Sequence, residues 1–230
     1  VTLSIHCENA DMITSLTEEL QAQGRVKPGD YQDAHPLISE LEAVQRVALM
    51  AYKTGARVHV VHCSCPEAVD VVSYYRSLGA DLTVETCPHY LTLNEKDVER
   101  WGVYCICNPP IRDQSVQDEL WKRVLEGKLD CIGTDHSAYL HTEKAEGKDN
   151  IFKTPAGITA MQLCYPLFFD EAVNKRGMSV EQFVSMSSTA AAKRYDIYPK
   201  KGLIDVGADA DVVIFDPKAQ WVVEKKKLFY

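Results

Sequence analysis

Four short runs of β-type residues, each closing on polar and chemically capable side chains, constrain this chain more than any other feature. They are TLSIHCEN (2–9), ARVHVVHCS (56–64), ADLTVETCPHY (80–90) and LDCIGTDHS (129–137). Each is rich in Val, Ile, Leu or Thr and short enough for one strand. Helical stretches separate them. Residues 39–54 place Leu41, Val44, Val47, Ala48 and Met50 at near-helical spacing, with Ser39 as N-cap and Gly55 as the stop. Residues 66–78 begin on Pro66, suited to a first turn, and end before Gly79. Residues 115–126 form a third helix, stopped by Gly127. Strand–helix alternation implies an α/β fold with a parallel sheet. The reactive residues His6, His62, Glu85 to Pro88 and Asp135 fall at the C-terminal ends of different strands. Catalytic groups of β/α barrels sit there, which favours a TIM-like (β/α) barrel over an open sheet. A whole barrel takes about 250 residues and eight strands. Four βα units make half of one, and the expectation is the second half. The chain opens at Val1 inside a strand-like run, which suggests an upstream segment.

Beyond Asp135 the text changes. Residues 138–153 are polar and read as a lid or crossing loop. Residues 156–176 read as a helix bent near Pro166, and residues 179–195 as another, capped by Ser179. KKGLIDVGADADVVIFDP (200–217) reads as two strands joined around Gly207, with WVVEKKKLFY as a last strand. These strands lack partners in this sequence. The division that follows is residues 1–198 as barrel and 199–230 as the remnant of an appended β-module.

Composition narrows the function. Hydrophobic residues at 46 % and charged residues at 25 % exclude a disordered chain, a collagen-like chain and a coiled coil. A net charge of −8 argues against a nucleic-acid partner. No run of 18 apolar residues is present, so no membrane-spanning helix is expected. The eight cysteines are too sparse for a disulfide scaffold. The CxC pairs 63/65 and 105/107 have the wrong spacer for a structural zinc site. Buried free thiols in a reducing, cytoplasmic setting are the preferred reading.

Two imidazoles, His6 and His62, and the carboxylate of Asp135 suit Zn²⁺ or a similar divalent metal if one barrel mouth gathers them. Asp135 would then also accept a proton from activated water. The alternative is three ordinary strand-end residues satisfied by hydrogen bonds, and spacing alone leaves both open. His59 alternates against Val58, Val60 and His62 and is expected to face a helix as a structural residue. His89 is either near the site or an ordinary structural residue, with neither reading favoured, and His136 is placed to orient Asp135. His35 and His141 read as loop residues. Asn108-Pro109-Pro110 is a rigid turn that presents main-chain groups to a ligand, as Ala156 and Gly157 also do, or else a plain loop anchor.

IHCEN, VVHCS, ETCPHYL, NPPIRD, GTDHS and the closing KGLIDVGADADVVIFDP, in this order and spacing, together resemble the cyclic amidohydrolases. That group includes allantoinases, hydantoinases (dihydropyrimidinases) and dihydroorotases. HCENADMI, PPIRDQSVQDELW, LDCIGTDHS and FFDEAVNKRGMSVEQF resemble the allantoinase branch most. The resemblance implies a metal-dependent barrel with a β-sandwich built from both chain ends. It implies His6 and His62 as metal ligands closing the fifth and sixth strands, and Asp135 as ligand and general base at the eighth. It implies Asn108, and with it Ala156 and Gly157, as contacts to the substrate ring. The reaction implied is hydrolysis of a cyclic amide or ureide, allantoin to allantoate, by metal-activated water. Hydantoinase is the alternative, with dihydroorotase or a non-catalytic scaffold behind it. The implied cofactor is a binuclear divalent centre, zinc foremost, and the implied partners are the cyclic ureide and further copies in a dimer or tetramer. The family pattern also carries a His-x-His pair and a carboxylated lysine on earlier strands. This sequence has no His-x-His and no lysine at a matching strand end. The 230 residues alone are therefore expected to be inactive.

Overall fold

The computed structural model describes residues 1–229. Four strands, β1 (Leu3–Ile5), β2 (Val58–Val60), β3 (Leu82–Thr86) and β4 (Cys131–Ile132), form one parallel sheet in sequence order. Leu3 pairs with Val58 and Val58 with Leu82, and Glu85 pairs with Cys131. The crossovers are helical: α1 (Ala10–Ala22), α2 (Asp30–Ala34) and α3 (Leu37–Thr54) follow β1, and α4 (Pro66–Ser77) follows β2. After β3 come α5 (Pro88–Thr92), α6 (Glu95–Trp101) and α7 (Gln114–Leu125). After β4 come α8 (His141–Ala145), α9 (Cys164–Phe169), α10 (Val180–Val184) and α11 (Ala190–Arg194). This is the α/β arrangement of a partial TIM-like barrel. No described helix is long and apolar enough to cross a membrane.

The core lies between sheet and helices. Val58, Val60, Leu82 and Val84 join Val44, Ala48, Val69 and Val72 of α3 and α4 there, all nearly inaccessible. Unbroken Val and Leu on this face are what a parallel sheet covered by helices requires. Polar ties fix the strand starts. Asp130 takes both bonds from Arg76 Nη1 at 2.9 Å and also accepts from Val84 N at 2.8 Å. Arg194 at the end of α11 donates to Val58 O at 2.5 Å and pairs with Asp81.

The expected helices over 39–54, 66–78 and 115–126 appear within two residues of their expected ends. Three differences have physical causes. The strand runs stop short, because their polar ends turn out of the ladder to form the site; Pro88 starts α5 where a strand was expected to continue. The helix expected over 156–176 begins only at Cys164. Pro166 is its third residue, where no intrahelical N–H is needed, so it opens the helix instead of bending it. From Asp170 the coil widens into a π-turn through Asn174. Residues 200–229 contain no strand among the described residues, in contrast to the expected β-module; Tyr230, the last residue of that expectation, lies outside them. An extended segment needs a ladder partner for its N–H and C=O groups, and this one has none here. Phe215 anchors it, with its ring 4.5 Å from that of Phe169.

Candidate active site at the C-terminal ends of the strands

The polar residues leave the sheet at one end. His6 follows β1 directly, and its Nδ1 lies 3.0 Å from His62 Nε2 beyond β2. His62 and Asp135 share an unusual backbone, each with φ of 41°. A non-glycine residue in the left-handed region costs about 1–3 kcal/mol and persists only where its surroundings impose it. Two strand ends carry this strain, and both present a potential ligand.

The surroundings of His62 are explicit. Cys63 N donates to Glu85 O at 2.8 Å, and Thr86 Oγ1 donates to Cys63 O at 2.7 Å. The buried Glu40 carboxylate accepts from Ser64 N at 2.7 Å, Ser64 Oγ at 2.6 Å and Cys65 N at 3.2 Å. Arg112 completes this buried node: Nη2 reaches Glu40 at 3.2 Å, Nε donates to Ser64 Oγ at 2.9 Å, and Nη1 to His35 O at 2.5 Å.

The left-handed turn corrects one expectation. Strict alternation would put His62 on the face of Val58 and Val60 and send His59 toward the helices. The turn at His62 ends that alternation. Val58 and Val60 are the residues that join the helix-side core. His59, fully buried, bonds Thr83 Oγ1 at 2.8 Å, lies 3.3 Å from Glu85 Oε2 and packs edge-on to Tyr195.

Glu8 holds His6 from the other side. Its Oε2 lies 3.2 Å from His6 Nε2, and its Oε1 lies 3.0 Å from His35 Nδ1. Burial would raise the Glu8 pKa, but the bonds from His35 and His6 outweigh it and hold it down at about 2. The bond to Glu8 raises the pKa of His6 against burial, with the charges of Glu40 and Asp135 assisting. Burial, then the charge of His6, lowers that of His62, while Asp135 opposes the fall. Glu8 faces Nε2 of His6, so the opposite ring nitrogen, Nδ1, is the one turned toward His62. Two nitrogens bound tetrahedrally to one Zn²⁺ at about 2.0–2.1 Å stand about 3.3–3.4 Å apart. The observed 3.0 Å lies within a few tenths of an ångström of that spacing. Asp135 acts on both rings electrostatically. Among the described residues, however, no group of three or more His, Cys, Asp or Glu is gathered as a ready metal site. The donor chemistry and the histidine spacing fit a divalent metal, and the third ligand is not assembled.

The expected ring contacts lie in two neighbouring loops. Asn108 Oδ1 accepts from Tyr31 Oη at 2.7 Å, and Tyr31 stacks on His35. Ala156 packs on the small cluster of Tyr31, Val103, Ile106 and Ile151. Gly157 has φ of 146°, and a Cβ there would lie 2.4 Å from Ser137 Cβ, so only glycine fits. Its N–H donates to Ile106 O at 2.9 Å, which leaves its carbonyl as the main-chain group for a ligand. A parallel bridge from His136 to Ile158 sets this segment beside the residues after Asp135. His136 Nδ1 accepts from Ala160 N at 3.1 Å and Met161 N at 3.2 Å, so that nitrogen anchors the loop. His89 is close enough for the charge of His62 to act on it; burial pushes its pKa down to about 3. His141, expected in a loop, instead begins α8 and lies edge-on to Tyr104.

Sequence reasoning missed Glu8, Glu40, Arg112 and the burial of His35. Glu8 had a signal, two residues beyond His6 in IHCEN. Glu40 had none, since an acid in a first helical turn reads as solvated.

The comparisons with known proteins agree with this geometry. Residues 2–229 match the Amidohydrolase family. The chain belongs to that family. This amidohydrolase chain is 40 % identical over 229 residues to allantoinases of Salmonella newport (strain SL254) and Salmonella heidelberg (strain SL476), all of this chain and 50 % of theirs. It is 32 % identical to the D-hydantoinase (dihydropyrimidinase) of a Thermus species, with a TM-score of 0.94 over 99 % of this chain and 50 % of that one. For the L-hydantoinase (dihydropyrimidinase) of Arthrobacter aurescens the figures are 32 %, 0.88, 91 % and 46 %. The amidohydrolase chain thus spans about half the length of the curated relatives it matches.

Proposed function

We propose that this chain is the second half of a metal-dependent cyclic amidohydrolase that opens allantoin to allantoate. The observation that carries the reading is the His6–His62 pair at 3.0 Å on adjacent strand ends, with Asp135 acting on both rings electrostatically from a strand end that shares the left-handed backbone of His62. His6 and His62 hold the metal through Nδ1 and Nε2, and Asp135 supplies a carboxylate. A bound divalent cation, zinc in this reading, supplies Lewis acidity that polarises a carbonyl and acidifies water. Asp135 accepts the proton of the attacking water as the C–O bond forms, and returns it to the ring nitrogen as the C–N bond then breaks. Glu8 fixes the orientation of His6. Asn108 and the Ala156–Gly157 segment hold the ring through main-chain groups.

The same reading assigns residues 1–198 to the barrel and 199–230 to a β-sandwich that strands outside this sequence complete. It takes the other metal ligands from that remainder, so the 230 residues alone are inactive. It places the enzyme in the cytoplasm, on eight buried free thiols, as a homo-oligomer. Hydantoinase is the second reading, favoured by the match to solved hydantoinases; the 40 % identity to allantoinases over the whole chain favours the first. The test is turnover of allantoin, hydantoin, dihydrouracil and dihydroorotate by the complete enzyme and its Asp135→Asn variant. Allantoin is expected to be the preferred substrate, and the variant to lose about 10³-fold or more in kcat with its fold intact. Near-normal turnover in the variant would remove Asp135 from the mechanism.

A further inference from the structure

Lys144 is buried on the short helix α8, inside the loop that sequence alone reads as a lid. Among the described residues no carboxylate reaches its ammonium. Its Nζ donates instead to two main-chain carbonyls, Ile106 O at 2.7 Å and Pro155 O at 2.8 Å, with the Tyr139 ring centroid 5.8 Å away. Ile106 O also accepts from Gly157 N at 2.9 Å. Burial lowers the lysine pKa to about 8, with Cys107 and Cys105 opposing the fall. A buried cation without a counter-charge is costly, so its neighbours must gain from it.

The two carbonyls show what is gained. Ile106 stands two residues before Asn108, and Pro155 stands one residue before Ala156. No strand ladder joins these two segments. The ammonium and the Gly157 N–H make the hydrogen-bonded connection, both through Ile106 O. We propose that Lys144 is a positioning residue that clips the Asn108 turn to the Ala156–Gly157 segment and so sets the width of the ring-binding pocket. The clip is read from geometry alone; its role in binding a ring rests on the function proposed above. A charge-assisted donor is well suited to this, because bonds to charged groups contribute roughly twice those of neutral pairs. Lysine has the reach, since its four-carbon stem carries the ammonium from α8 to both carbonyls.

The test has two readouts. The first is amide hydrogen exchange in the 230-residue chain and its Lys144→Met variant. Exchange is expected to rise about tenfold or more in residues 105–110 and 154–158, with α3 unchanged. Lys144→Gln, which can still serve one carbonyl, is expected to fall between the two. Exchange that stays unchanged, or that rises equally in α3 for both variants, overturns the clip. The second readout is steady-state kinetics in the complete enzyme. KM for the cyclic ureide is expected to rise about tenfold with kcat within about threefold, since a misplaced wall weakens binding more than chemistry. A fall in kcat with KM unchanged overturns the positioning role. If the wild-type enzyme opens no cyclic amide, the proposed function fails, and hydrogen exchange still decides the clip.

Discussion

Two stretches of β-type sequence meet opposite fates in this molecule. Val58–Val60 and Leu82–Thr86 pair in a ladder, and Val60 and Val84 are 1 % and 0 % exposed. Residues 212–214 are also Val and Ile, yet Val213 and Ile214 are 84 % and 95 % exposed and pair with nothing among the described residues. Pattern supplies the propensity for a strand, and a neighbouring strand decides whether one forms. The polar end of the sheet is the converse. There His6, His62 and Asp135 leave the ladder, and a buried network around Glu40 holds the strained turn at His62 in place.

The largest effect is expected at that network. Arg112→Met leaves Glu40 buried without its guanidinium, and loss of one partner of a buried pair costs about 3–5 kcal/mol. Denaturant unfolding of the 230-residue chain checks it; a loss below 1 kcal/mol, of surface-pair size, would mean the network is not what holds His62.

The next effect is pH-dependent. His89 is buried with both ring nitrogens unpartnered and its pKa is lowered to about 3. Because the folded value lies below the unfolded 6.5, its contribution is complete above pH 6.5 and is lost as pH falls toward 3. At pH 5 that loss is about 2 kcal/mol. Glu8, at about 2 in the fold against an ordinary 4.5, adds a loss of the same sign below pH 4.5. His89→Phe removes the first loss, so the variant's stability should change less between pH 7 and pH 5 than the wild type's. Equal acid sensitivity would show that His89 is solvated.

A pair of substitutions sharpens the comparison of strands. Val84→Ala should destabilise by about 2–3 kcal/mol, whereas Ile214→Thr should stay within about 0.5 kcal/mol. A costly Ile214→Thr would mean that the closing segment already packs in solution.

Much of the barrel half was legible because parallel strands and their crossover helices write their own periodicity. Val44, Val58, Val84 and the punctuation at Gly55, Pro66 and Gly79 carry that signal in a few residues each, whereas Ser39, expected as an N-cap, lies inside α3, which Pro36 caps. The His6–His62 pairing was legible from strand-end position. The face of His59 was not, because a single left-handed residue at His62 resets the alternation. Nor were the roles of Glu40, Arg112 and Lys144. Their partners lie 11 to 77 residues away, from Lys144 and Pro155 to Arg112 and His35, and no local pattern records such pairings. The closing strands were over-read because β propensity makes no ladder without a neighbouring strand, and none pairs with them among the described residues.

The most direct test of the central claim is titration of Co²⁺ or Zn²⁺ into this chain, followed by visible absorption for cobalt and by calorimetry for zinc. The account predicts one weakly bound cation, lost in both His6→Ala and His62→Ala and weakened in Asp135→Asn. No binding, or binding indifferent to His62→Ala, would contradict the assignment of this strand end as the metal-holding half of the site.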